Sequence, residues 1–172
     1  MRTWLVAAVS ALVLSGCLWQ PDRPDAVTWA GSVCEALNPW RAEIDELTGT
    51  ANAAMTPDSS PVDAKGDLLG LLSGAAEATQ AAHDAVVSAG VPDVADGEAI
   101  ADRFVDSLAG TRDAYRVAHD ELAALDASAE GFYDDVAQVM ADLVDDYAAV
   151  PQVAALDSVE LSDAFETAPA CR

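Results

Sequence analysis

Apolar residues return at three- and four-residue intervals along four long stretches of this chain, and no stretch alternates apolar with polar residues under β-branched enrichment. That period confines the fold to helices that each bury one face. The first helix is expected from about Ala26 to Met55, with the stripe Trp29, Val33, Leu37, Trp40, Ile44, Leu47 and Ala51. Pro39 falls inside it and predicts a kink, because its ring crowds the preceding turn and removes one donor. A second helix opens at Ser60-Pro61 with Asp63 completing a capping box, and carries Leu68, Leu72, Ala75, Thr79, Ala82 and Val86. Gly90 and Pro92 end it. The third, capped by Asp96, carries Ile100, Phe104, Leu108, Thr111, Tyr115, Ala118, Leu122 and Leu125. The fourth, capped by Ser128, carries Phe132, Val136, Val139, Leu143, Tyr147 and Val150 before Pro151 stops it. A shorter helix is expected from Asp157 to Thr167, with Glu160 closing its capping box and Leu161 and Phe165 facing inward. Short connections make such elements antiparallel neighbours. The expected architecture over residues 26–172 is therefore all-α: an up-down-up-down four-helix bundle with a short C-terminal helix. Aromatic residues make up only 6% of the chain, so the core must come mainly from Leu, Val, Ile and Ala.

The N-terminus has a different logic. Arg2 gives one positive charge, and Leu5 to Leu14 is apolar or small apart from Ser10. This is the n-region and h-region of a secretory signal. At about 1.5 Å per residue the run is too short to span ~30 Å of hydrocarbon. It ends in Leu14-Ser15-Gly16-Cys17, which resembles the lipobox of bacterial lipoproteins. The resemblance implies that residues 1–16 are a signal peptide and that Cys17 carries acyl chains as the first mature residue. Residues 17–25 then form a tether, with Leu18-Trp19 beside the anchor and Gln20-Pro21-Asp22-Arg23-Pro24 stiff and polar. Two or more acyl chains hold a protein stably where one would be marginal. The implied place is the extracytoplasmic face of the cell membrane.

Charge narrows the partners. The chain has 8 Lys+Arg against 30 Asp+Glu, a formal net charge of −22, and removing residues 1–16 takes away Arg2 alone. Nucleic acid would require a basic footprint, and lying flat on anionic lipid would require a polybasic patch. Neither exists, so the membrane contact that the lipobox resemblance implies is expected to run through lipid on Cys17 alone. Arg outnumbers Lys and Ala is abundant, as in GC-rich genomes.

In an antiparallel bundle, numbering alone sets which residues share a level. Turn centres near 58, 93–94 and 128 place Cys34 beside Ala82, and Ala82 beside Phe104. They also bring the chain after the last helix back to the height of Cys34. In an oxidising compartment, with Cys17 lipidated, Cys34 and Cys171 are the two remaining thiols and are expected to pair. The alternative is free or metal-bound thiols, and no CxxC spacing supports zinc. The same levels set His83 and His119 about 22 Å apart, too far to share an ion. The segment Asp93 to Glu98 fails as a calcium loop, since Pro92, Val94 and Arg103 would occupy ligand positions. Asp134-Asp135 and Asp145-Asp146 line a solvated helix face. No nucleophile elbow, phosphate loop or dinucleotide fingerprint is present, so neither catalysis nor a metal or other cofactor is expected.

Gly66, Gly70, Gly74, Ala78 and Ala82 form a ridge of small residues at four-residue intervals on the second helix. Each helical glycine costs about 1 kcal/mol relative to alanine, which calls for an offsetting contact. Three arrangements would supply one: close approach of a bundle helix, a groove for a partner helix, or a slot for a small apolar ligand.

The sequence also resembles small helical secreted lipoproteins common in actinobacteria. The resemblance lies in Val33-Cys34, in the turn Ala89-Gly90-Val91-Pro92-Asp93-Val94-Ala95-Asp96-Gly97, and in the tail Ala164-Phe165-Glu166-Thr167-Ala168-Pro169-Ala170-Cys171. It implies a cell-envelope lipoprotein and carries no site beyond Cys17. The functional expectation is a non-catalytic binding or scaffolding module recruiting an envelope protein, with a carrier or sensor of a small apolar ligand or cation as the alternative.

Overall fold

The structure is a computed structural model that describes residues 23–56, 58–150 and 158–172. The signal run, Cys17 and the tether up to Asp22 lie outside these, as do Pro151 and Asp157. Among the described residues five helices follow one another: α1 (Ala26–Ala54), α2 (Pro61–Ala89), α3 (Gly97–Ala124), α4 (Phe132–Ala149) and α5 (Val159–Thr167). A 3-10 turn, Pro169–Cys171, closes the chain. The fold is an all-α bundle.

The ends of the helices show which local signals prevailed. Asp25 caps α1, its carboxylate accepting from the amides of Val27 and Thr28 at 3.0 Å each and from the Thr28 hydroxyl at 2.7 Å. Pro39 sits inside α1, which continues as one helix past it. The ring supplies no N–H to the Glu35 carbonyl one turn earlier. Ser60 caps α2 as expected, accepting from the Asp63 amide at 3.2 Å while its hydroxyl donates to the Asp63 carboxylate at 2.7 Å. Gly90 ends α2 at φ 74°, a conformation only glycine adopts cheaply.

Three expected caps are corrected. Asp96 does precede α3, but in a left-handed conformation (φ 58°) with no side-chain capping bond. The tight turn explains this: Gly97 lies so close to the Pro92 carbonyl that a Cβ would collide with it. Ser128 does not cap α4, which begins at Phe132 behind Gly131. Asp126 captures the Ser128 amide at 2.8 Å and its hydroxyl at 2.7 Å, a local turn that outcompetes helix initiation. At α5 the cap is Ser158, accepting from Leu161, so Glu160 falls one position short of a capping box and stays exposed.

α1 packs on α2, α2 on α3, and α3 on α4, while α5 and the terminal turn lie along α1. No comparable backbone approach joins α1 to α4 among the described residues. The core accordingly forms two clusters along the α2–α3 hairpin. One gathers Trp29, Val33, Ala82, Val86, Ile100, Phe104, Leu108 and Leu161. The other gathers Leu68, Leu72, Ala118, Leu122, Val139 and Leu143. The stripes of α2 and α3 face inward as their spacing predicts. On α4 the stripe is narrower than expected: Tyr147 is 40% exposed, because α3 alone covers this helix closely.

Candidate functional site

The first expected site pair is present. Cys34 and Cys171 form a disulfide, with Cα atoms 5.2 Å apart across 137 residues of sequence. It fastens the C-terminal turn to α1, helped by Asn38, whose amide nitrogen donates to the Ala170 carbonyl at 2.7 Å. Both cysteines are thereby placed beside the cluster that contains Ala82 and Phe104, the level their numbering predicts. Cys17 lies outside the described residues.

The histidines are separate. His83 pairs with Asp84 (Nδ1 to Oδ1, 2.9 Å) and His119 with Asp120 (3.1 Å). His119 shares a surface hollow with Ser73, Ala76 and Glu77, two to three turns along α2 from His83. Among the described residues no three His, Cys, Asp or Glu side chains gather where they could hold a metal ion. Asp84 also accepts from the Gln80 amide at 2.8 Å, and Gln80 in turn accepts from Arg112 at 2.8 Å, tying α2 to α3. The hydrogen bond from His83 chiefly, then that from Gln80, lowers the Asp84 carboxyl below its usual range. On α3, burial pushes the Tyr115 phenol up, and Tyr147 adds to the shift.

The glycine ridge divides. Gly66 and Gly70 face open space, and no neighbour among the described residues would touch a methyl group added there. A helix packed along the whole ridge is therefore ruled out. Gly74 receives α1: an added Cβ would stand 2.8 Å from a Leu47 methyl. Ala82 is buried in the core, while Ala78 is half-buried at the edge of a surface groove.

That groove, about 470 Å³ in volume, is the concavity to which the ridge leads. α1 contributes Ala36, Pro39 and Trp40 to it, and α2 contributes Gly74, Ala78, Ala81 and Ala85. It exists because α2 presents methyl groups or hydrogens where a bundle helix ordinarily offers Leu, so the space between the axes stays unfilled. The Trp40 indole is held by its Nε1, which donates to the buried Thr79 hydroxyl at 3.0 Å; that hydroxyl donates to the Ala75 carbonyl at 2.7 Å. Glu35 and Glu43 from α1 and Glu77 from α2 line the same groove, all three exposed. No hydroxyl, thiol, imidazole or basic side chain lines it beside them. It can hold a molecule beside three carboxylates.

Comparison with family models, curated proteins and solved structures finds no match. The geometry of the chain itself thus carries the reading.

Sequence reasoning missed two positions. Asp25, the cap of α1, could have been found from its Asp-x-x-Thr pattern before an apolar run. Lys65, the sole lysine, reaches from α2 to the end of α3, where its Nζ donates to the carbonyls of Ala123 at 2.9 Å and Leu125 at 2.6 Å. A cation at a helix C-terminus satisfies carbonyls that have no helical donor.

Proposed function

We propose that this chain is a membrane-anchored extracytoplasmic lipoprotein, held by acyl chains on Cys17, that works as a non-catalytic binding or scaffolding module of the cell envelope. The Cys34–Cys171 disulfide carries the compartment part of this reading, because such bonds persist outside the reducing cytoplasm. The lipobox Leu14-Ser15-Gly16-Cys17 and the signal run before it supply the anchor. No helix among the described residues is long and apolar enough to cross a membrane. Five residues separate Cys17 from Arg23, a reach of about 20 Å when extended. Arg23 lies beside Val94 and Gly97, and Pro24 accepts from the Asp93 amide at 2.9 Å. With Cys17 acylated, the disulfide-bearing end would face the bilayer and the turn between α1 and α2 would point away from it.

The binding part rests on the groove between α1 and α2, which offers an apolar floor and three carboxylates. Its volume lies within the range of small-molecule sites, and this favours a carrier or sensor of a small ligand as the second reading, beside recruitment of an envelope protein.

Mass spectrometry of the mature chain tests the anchor. The expected N-terminal peptide begins at an acylated Cys17, and Cys17→Ala shifts the protein from the membrane to the soluble fraction. A wild-type chain secreted with unmodified Cys17 refutes the anchor. A pull-down from detergent-solubilised envelope separates the two binding readings. A partner retained by the wild type and lost on Ala81→Trp supports the scaffold, and a co-purifying small molecule supports the carrier.

A further inference from the structure

We infer that the groove between α1 and α2 takes an organic cation with an apolar body. This rests on the binding-module reading and names its ligand class. Charge complementarity decides the sign. Glu35 and Glu43 stand eight residues apart on α1, about 12 Å along the axis, and Glu77 faces the groove from α2. No basic side chain lines the groove itself, although Glu77 also borders the neighbouring hollow of Arg116 and His119. The neighbouring arginines are engaged elsewhere: Arg41 with Asn38, Arg112 with Gln80 and Asp113, and Arg116 with Asp113. A chain of net charge −22 repels an anion before it arrives.

The lining decides the body. Between the carboxylates lie the methyl groups of Ala78, Ala81 and Ala85, the Pro39 ring and the Trp40 indole. A hydrated metal ion finds no converging ligands there. An alkyl or aryl stem fills the floor, and its ammonium or guanidinium head reaches the rim, where an indole also attracts a desolvated cation. Each rim carboxylate is exposed and contributes modestly, so the three together set an affinity that salt weakens.

The probe is 4-phenylbutylammonium, titrated into the soluble domain from residue 18 onward with the disulfide intact and read by amide and indole chemical shifts. Its anionic analogue 4-phenylbutyrate serves as the comparison. The expected result is saturable binding of the ammonium, with shifts centred on Trp40, Ala78 and Ala81, and none for the carboxylate. Glu35→Gln/Glu43→Gln/Glu77→Gln should weaken it at least ~10-fold at low salt. Ala81→Trp should abolish it by filling the groove. Asp134→Asn/Asp142→Asn/Asp145→Asn, the same charge change on α4, should leave it unaltered. Equal loss in both triple variants would reduce the effect to the general acidic field and overturn the inference. So would the absence of saturation by ~10 mM, or equal binding of both probes. Either failure leaves acylation of Cys17 and the pull-down outcome untouched, so the ligand class falls without the module.

Discussion

The two ends of the bundle are built to different standards. At the end near the tether, Trp29 packs edge-on against Phe104 and Phe165 with ring centroids 5.3 and 6.1 Å away, and Phe104 stacks on Phe165 at 6.0 Å. The Trp29 Nε1 donates to the Gly90 carbonyl at 2.8 Å, and the disulfide binds α5 and the terminal turn over this cluster. At the far end the core is mainly aliphatic, with Phe132 buried at the start of α4 and Tyr115 half-buried on α3; α4 leans on α3, and α1 contributes only half-buried Ile44 and Leu47 before Ala51. Trp29, Phe104 and Phe165 thus gather with the one described covalent crosslink at the end closest to the proposed anchor. The near end is thus crosslinked around an aromatic centre, while the far end relies on a mainly aliphatic core and the tie from Lys65.

Trp29→Ala should produce the largest loss. It empties the centre of the near cluster and strips the Gly90 carbonyl of its donor, costing about 3–5 kcal/mol in urea unfolding. A loss under ~1 kcal/mol would show the aromatic cluster to be peripheral. Cys34→Ser comes next. The chain-entropy account allows up to about 5 kcal/mol for a loop of this length, and about 2–4 is the usual yield. Hydrogen exchange should then rise first in α5 and the start of α1, while α2 and α3 at the far end keep their protection. Uniform acceleration would mean that the bond supports the whole molecule rather than one end.

Smaller effects concern the far end. Lys65→Met removes two bonds to the α3 terminus and should cost about 1–2 kcal/mol, with fraying confined to residues 120–125. Gly66→Ala and Gly70→Ala should act in the opposite direction, each adding about 0.5–1 kcal/mol, because the added methyl meets nothing and helical alanine is favoured. Destabilisation by either would mean that a neighbour covers the ridge after all.

Acid should affect both ends slightly. Hydrogen bonds from the Thr28 backbone and hydroxyl chiefly hold Asp25 below its ordinary value, and bonds from the Ser128 side chain and amide do the same for Asp126. A carboxyl with a depressed folded pKa stabilises above its unfolded value of about 3.9 and loses that contribution as pH falls through the folded one. Stability should therefore decline below about pH 4. Asp25→Asn, which can still cap, should flatten that decline. An unchanged slope would remove Asp25 from the account.

The regular parts of this fold were legible because they depend on periodicity. Leu68 through Val86 and Ile100 through Leu122 face the core as their spacing requires, and Ser60 and Gly90 mark α2 by chemistry confined to one turn. Cys34 and Cys171 could be matched because antiparallel succession converts numbering into height. Other features depend on competition between neighbours, which spacing does not register. Asp126 takes the donors of Ser128, and Gly97 is drawn under Pro92, so two promising caps fail. The groove was hidden for another reason: it arises from what is missing, three methyl groups opposite Pro39 where larger side chains would have closed the gap. The ridge Gly66, Gly70, Gly74, Ala78, Ala82 pointed toward it, but Gly66 and Gly70 face solvent.

Lys65 supplies the only side-chain amine in the protein. While it grips the carbonyls of Ala123 and Leu125, an acylating reagent can react with it only after it detaches and sheds a proton. The rate at which a succinimidyl ester modifies this one position is thus a clock for the separation of α2 from the end of α3, readable by mass alone in the unaltered protein.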